Sequence, residues 1–326
     1  MSIIRSVSAF VAGAAFSLGV CLSSGALAAD LPVKAPPVVG ASVPLDVHGY
    51  VDLTFANTRV TPGGLMIYPT RGYLTQIDVG LSLDIYKNPT GFINGISVFG
   101  GVWNEMWSSP FIGTGNWQEL DWWLGFSVGF AQHWKFSASH LQFKFPGGAT
   151  IYNYVYSLGF DDSYLGLPIA FNPYVNLFHS ASGPSTVVLG DNGNTYRVEL
   201  GIRPTVSLQK STGIPLSLTF PTWVTVGPTT YWNRGTPATN LCGPTTSSPC
   251  ATSSFGLFST GIQARYSLDA LIPKRLGSWY VKAGAQYYYM SNDALLGAQV
   301  VTGAAASFPS AHRSIVVASG GLGFSF

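Results

Sequence analysis

Two long stretches of this chain alternate apolar and polar residues without losing phase, and that alternation constrains the fold more than any other feature. From Thr75 to Tyr86, Ile77, Val79, Leu81, Leu83 and Ile85 fall on one face and Gln76, Asp78, Gly80, Ser82 and Asp84 on the other. Thr195 to Leu208 repeats the pattern, with Tyr196, Val198, Leu200, Ile202, Val206 and Leu208 against Arg197, Glu199, Gly201, Arg203, Thr205 and Ser207. A period of two residues is that of a β-strand with unlike faces. Strands of soluble proteins run to about 5–6 residues, whereas a tilted strand needs about 9–11 to cross a bilayer. Only 9% of the 326 residues are charged, against about 25% in a soluble domain, so the apolar faces are expected to meet lipid. Lipid tolerates no unpaired sheet edge. The expected fold is therefore all-β, a transmembrane antiparallel β-barrel.

The ends of the chain fit an exported protein. Arg5, the apolar run Phe10 to Val20 and the small-residue site Ala26-Leu27-Ala28 read as a cleaved signal peptide over 1–28. A periplasmic tail over 29–44 then leads into the barrel, 45–326. With Cys21 removed, Cys242 and Cys250 remain in a Thr/Ser/Pro/Gly-rich stretch. An even pair in an exported protein is most simply a loop-closing disulfide. Zinc would need further ligands, and no metal or cofactor is expected.

Twelve segments carry the strand pattern: 45–57, 72–86, 91–107, 117–132, 133–145, 150–161, 168–179, 195–208, 214–227, 254–268, 278–291 and 313–326. Links after odd strands (58–71, 108–116, 146–149, 180–194, 228–253 and 292–312) are mostly long, and those after even strands are shorter. Long outer loops and short periplasmic turns are the habit of outer-membrane barrels, and an even count places both ends of the barrel in the periplasm. Trp279 is then expected at the periplasmic interface, and Trp122, Tyr152, Tyr287 and Tyr289 at the outer one.

Ser314 to Phe326 sets Val316, Ala318, Leu322, Phe324 and Phe326 on one face and ends on that aromatic. It resembles the C-terminal signal recognised by the barrel-assembly machinery, which makes Phe326 the assembly residue and that machinery a partner in biogenesis. The segment Ala29-Asp30-Leu31-Pro32-Val33-Lys34-Ala35-Pro36-Pro37 resembles the leader junction of alphaproteobacterial outer-membrane proteins. The stretches Glu119-Leu120-Asp121-Trp122, Phe143-Lys144-Phe145-Pro146-Gly147 and Asn172-Pro173-Tyr174-Val175 are similar to those of a family of small proteobacterial porins of unknown substrate. The resemblance implies an outer-membrane β-barrel in the bacterial cell outer membrane and names no solute.

Function is expected in the lumen. Strand parity points Asp46, Asp52, Asp78, Asp84, Glu105, Glu119 and Asp121 inward on strands 1 to 4, with no Lys or Arg among them. Strands 8 to 11 point Arg197, Arg203, Arg265 and Lys282 inward, with Glu199 the only acid. An acidic wall facing a basic wall makes a transverse field that orients hydrated solutes. Charges in a narrow space also pair, and a set of salt bridges bracing the barrel is the alternative. Twelve strands give a backbone diameter of roughly 25 Å, leaving on the order of 10 Å once side chains are counted. The expected function is a porin-like channel for passive diffusion of small hydrophilic solutes, with a constriction at Asp52, Asp78, Glu199 and Arg203. A structural or adhesive barrel with a sealed lumen is the alternative.

An outer-membrane lipid-modifying enzyme is a third reading, but no histidine among His48, His133, His140, His179 and His312 sits in a nucleophile–base motif. Ser139 and His140 are adjacent on a strand and point to opposite faces. No enzymatic activity is expected. The partners are outer-membrane lipid and small solutes. A net charge of +2 gives nucleic acid no electrostatic footprint, and no oligomeric state is set, a monomer being favoured.

Overall fold

A computed structural model describes residues 46–61, 66–67, 72–109, 115–146, 150–167, 169–182, 194–232, 251, 253–301 and 311–326. The expected signal peptide and tail, and the pair Cys242 and Cys250, lie outside the described residues. Chain order gives β1 (Asp46–Ala56), β2 (Arg59–Val60), β3 (Met66–Ile67), β4 (Leu74–Lys87), β5 (Ile93–Trp107), β6 (Trp117–Phe130), β7 (Trp134–Lys144) and β8 (Thr150–Phe160). There follow β9 (Tyr174–Ser182), β10 (Thr195–Ile202), β11 (Thr205–Ser207), β12 (Leu216–Thr219), β13 (Thr222–Val226), β14 (Phe255–Ser267), β15 (Ser278–Met290) and β16 (Ser314–Ser325).

Apart from the β2–β3 hairpin, every strand joins one sheet, which closes through β1–β16 and β14–β15 into a twelve-stave antiparallel barrel. Two staves are interrupted. Between β10 and β11 stands Pro204, and between β12 and β13 Pro221, neither of which has an N–H for the ladder. Their carbonyls still serve, accepting from the Phe220 N–H at 2.8 Å and the Gly261 N–H at 3.0 Å.

The seventh stave begins at Tyr174, six residues later than the expected 168. The intervening chain is shaped by Asp162, whose carboxylate accepts the N–H groups of Phe171 (2.9 Å) and Asn172 (2.8 Å). Asn172 takes φ 47°, and Pro173 brings no ladder donor, so the continuous ladder starts only beyond it, after a single antiparallel bridge of Ala170 to Thr205.

Apolar side chains point outward around the ring, Leu81, Val102, Leu124, Phe126, Leu200, Ile262, Val281 and Val316 among them. The seam is zipped to the last residue, since Gly49 and Phe326 exchange both backbone hydrogen bonds at 3.0 Å. Aromatic groups gather near both ends of the staves. Trp279, Phe324 and Phe326 stack at the end with the short links, and Trp122, His140, Tyr152 and Tyr154 cluster at the other.

The buried apolar core is not central but lies at the long-link end beside β13 to β16. There the short helices Thr229–Trp232 and Asp293–Val301, which sit inside segments expected to be plain loops, pack Tyr231, Trp232, Leu295 and Leu296 against Val60, Leu257, Met290 and Ile315. The longer helix starts where Asn292 Oδ1 accepts the Ala294 N–H at 3.1 Å, a side-chain cap of the usual kind.

Candidate functional site

Inside the ring lies a cavity of about 1210 Å³. All twelve staves contribute to its wall, from Trp107 and Ile151 near the long-link end to Thr205 and Ser217 near the short-link end. A second cavity of about 490 Å³ adjoins it around Tyr174, Glu199, Arg203 and Trp223. Wide rings fit inside because several inward positions are glycine. Tyr50 lies over Gly80, Phe99 over Gly125, Trp123 over Gly101, Tyr174 over Gly201 and Tyr280 over Gly323, each pair in register on adjoining staves.

The lumen charges fall into separate groups. Near the long-link mouth, Glu105 and Glu119 are register partners on β5 and β6, with Asp121 two residues along, all three buried. Like charges directly opposite destabilise a sheet. Here Arg59 of β2 resolves the conflict by reaching in from the first long link. Its Nη1 lies 3.3 Å from Glu105 Oε1 and closer still to Glu119 Oε2, and its guanidinium sits 4.3 Å over the Trp103 ring. Glu105 also accepts from Gln76 Nε2 (2.9 Å) and Trp107 Nε1 (2.8 Å). No sequence signal short of the missing cation on strands 1 to 4 pointed to Arg59.

Across the seam, Asp52 on β1 accepts from Tyr280 (2.8 Å) and pairs with Lys282 Nζ (3.0 Å), both on β15. Staves β1 and β15 flank β16, so the acidic and basic arcs touch here rather than only facing one another. Asp78 accepts from Tyr50 at 3.1 Å. Glu199 accepts from Asn176 Nδ2 at 3.1 Å and lies 3.6 Å from Arg197 Nη1. Arg203 and Arg265 rest on the Tyr174 and Tyr280 rings. Of the four residues expected at a constriction, Asp52 and Asp78 are register partners on β1 and β4 and Glu199 and Arg203 line the smaller cavity together, and among the described residues no ion pair joins Arg203 to Asp52 or Asp78.

At the short-link end, Asp46, His48 and Asp84 bring their ligand atoms within 4.8 Å of one another. Lys87 occupies that bay, contacting Asp46 and standing 3.0 Å from Asp84 Oδ2, so the cluster is an exposed ion-pair network that already holds a cation. Ser180 donates to Asn153 at 2.6 Å, while His179, on the opposite face, meets Asn194.

No protein-family model matches the chain, and no curated protein is significantly similar to it. Among solved structures it is similar to the NanC porin, at 9% identity over 84% of this chain and 98% of that one, with a TM-score of 0.42. It is also similar to the β-domain of the Bordetella autotransporter Brka, at 12% identity over 86% and 100%, with a TM-score of 0.41. A third likeness is to OccAB3 of Acinetobacter baumannii, at 7% identity over 87% and 99%, with a TM-score of 0.28. At these scores none of them assigns a role to any residue, and the lumen is read from the chain's own geometry.

That geometry gives a cavity inside the barrel whose largely apolar, aromatic-rich wall is studded with charged and polar side chains. It can orient a hydrated solute by its charges, and its rings narrow the space that twelve staves enclose.

Proposed function

We propose that this protein is a bacterial outer-membrane channel through which small hydrophilic solutes diffuse passively. The observation that carries the reading is the cavity to which every stave contributes and whose wall runs nearly the length of the barrel. A barrel built only to anchor or adhere has no need of a hollow, charge-lined interior. The apolar outer band suits a lipid surround, and the end bearing the longer links is then the extracellular one. Barrels of about eight strands are filled by side chains, and those of 16–18 leave wide aqueous channels. Twelve staves with inward Trp and Tyr rings lie between, which favours slow passage of small solutes over general permeability.

A sealed barrel is the second reading, favoured by the apolar core and by Arg59 at the mouth. Purified, folded protein in planar bilayers separates the two. Discrete single-channel steps, smaller than those of a wide porin, are the expected result. Bilayers that contain inserted protein and stay silent would establish the sealed barrel instead.

A further inference from the structure

Four arginines of the lumen lie over aromatic rings, Arg59 among them, and three of the four have no carboxylate within hydrogen-bond reach. The guanidinium carbon lies 3.5 Å from the centroid of Phe178 in Arg197, 4.4 Å from that of Tyr174 in Arg203 and 3.4 Å from that of Tyr280 in Arg265. A ring takes the face of a guanidinium and leaves its N–H groups, which lie in the plane, available at the edge. No carboxylate hydrogen-bonds to those edges, although Arg197 Nη1 makes a loose ion pair with Glu199. Arg197 is only 1% exposed, yet its Nε and Nη1 have no hydrogen-bond partner, the Glu199 oxygen at 3.6 Å being out of reach. Among the described residues, no carboxylate lies within ion-pair distance of Arg203 or Arg265, and both are exposed to the lumen.

The acids stand in contrast. Asp52 is held by Lys282 and Tyr280, Glu105 and Glu119 by Arg59, and Glu199 by Asn176. On the wall formed by β9 to β15 the uncommitted charge is therefore positive, Asp121 Oδ1 on β6 being, among the described residues, the one buried acid oxygen of the lumen left without a hydrogen bond, and it is presented as planar forks matched to carboxylate oxygens. Two neutral groups bordering the same cavity are also unsatisfied, the Trp223 Nε1 donor and the Gln286 Oε1 acceptor. A buried polar group without a partner is costly. A hydroxyl can serve either one.

We propose that the wall carrying Arg197, Arg203 and Arg265 binds small hydroxylated organic anions, the carboxylate taken by the arginine edges and the hydroxyls by the neutral groups. The proposal deepens the channel reading and rests on it for the route by which the anion arrives. D-gluconate is the probe, with sorbitol as its uncharged match.

Saturation-transfer NMR on the folded protein in detergent reads binding, and zero-current potentials in potassium gluconate against potassium chloride read passage. Gluconate is expected to give a saturable signal and sorbitol none. Arg203→Gln and Arg265→Gln should each weaken gluconate about tenfold, since a hydrogen bond to a charged group is worth at least that factor. Arg203→Lys and Arg265→Lys keep the charge without the planar fork and should recover only part of the loss. These two positions are exposed and unpaired, so folding survives where substitution of buried Arg197 risks it.

Equal signals from gluconate and sorbitol would overturn the proposal, as would unchanged gluconate binding in the Arg203→Gln/Arg265→Gln double variant. A protein that binds gluconate but passes no current keeps this site and loses the channel. One that conducts without binding gluconate keeps the channel and loses the site.

Discussion

Arg59 is the residue on which the long-link mouth turns. Glu105, Glu119 and Asp121 are exposed by 0%, 2% and 5%, and Arg59 by 9%, so the group is screened by little water. Removing one partner of a buried ion pair typically costs about 3–5 kcal/mol, because the other charge is left uncompensated. In a hollow barrel there is a cheaper escape than unfolding, which is to let water in where the guanidinium stood. Arg59→Ala is therefore expected to release the β2–β3 hairpin, raising single-channel conductance while lowering the temperature at which the barrel loses its folded mobility on gels. Adding Glu105→Gln and Glu119→Gln to that variant should restore the melting temperature and leave the conductance high, since the neutral amides no longer need a cation but the hairpin still lacks its anchor. Conductance equal to that of the unaltered protein in both variants would show that the hairpin is held by its other contacts. Arg59 left almost no trace in the sequence. Its partners lie 46 and 60 residues away, and a two-residue strand has no period to read. The only sign was an inward cluster of acids on neighbouring strands with no cation among them.

Strands announced themselves far better, because each carries its two-faced pattern locally and parity then assigns every side chain to lipid or lumen. Where no continuous strand forms, at 169–173, a single bridge of Ala170 to Thr205 is the one strand-type contact among the described residues, and the deciding contacts belong to Asp162, a turn residue. Its carboxyl, and that of Asp161, are held below the usual carboxylate range, Asp162 by the N–H of Asn172 and then of Phe171, and Asp161 by Ser163. A depressed folded value means that the turn gains stability above the unfolded value of about 3.9, and loses it as pH falls through the folded one. Hydrogen exchange at the Phe171 and Asn172 amides should thus accelerate, beyond the intrinsic pH effect, only in the most acid samples. Asp162→Asn should remove that step. The ring-over-glycine pairs are a second device of the strands, filling the hollow of an inward glycine with the neighbour's aromatic. A methyl group at Gly201 would lie 2.5 Å from the Tyr174 ring. Gly201→Ala should destabilise the barrel by about 1–3 kcal/mol in denaturant unfolding, the usual cost of overpacking. In a Tyr174→Ser background the same change should cost much less, and additive costs would mean that the two do not share the space.

At the scale of the whole molecule, closure turns a row of strands into a lumen with neighbours that no single segment foretells. Asp52 and Lys282 are 230 positions apart, yet they pair because β1 and β15 both flank β16. Strand parity placed each of them inward, but only the ring and its register bring their atoms together. The same closure puts all odd-numbered links at one end and all even-numbered links at the other. Three links break the length rule, 145–149 being short at the long-link end and 161–173 and 268–277 long at the other, so loop length alone is a weak guide to which end faces outward. Orientation is better tested by access. A protease site inserted within 228–253 should be cut on intact cells, and one within 209–213, which holds the short helix Gln209–Thr212, should be cut only after the outer membrane is opened. The second site is exposed in the isolated protein, since Ser211, Thr212 and Gly213 all face solvent. Its protection on cells would therefore report the membrane and not local burial. Cleavage of the 209–213 site alone on intact cells would invert the barrel, placing the Arg59 mouth in the periplasm and the Asp46–Lys87 network outside.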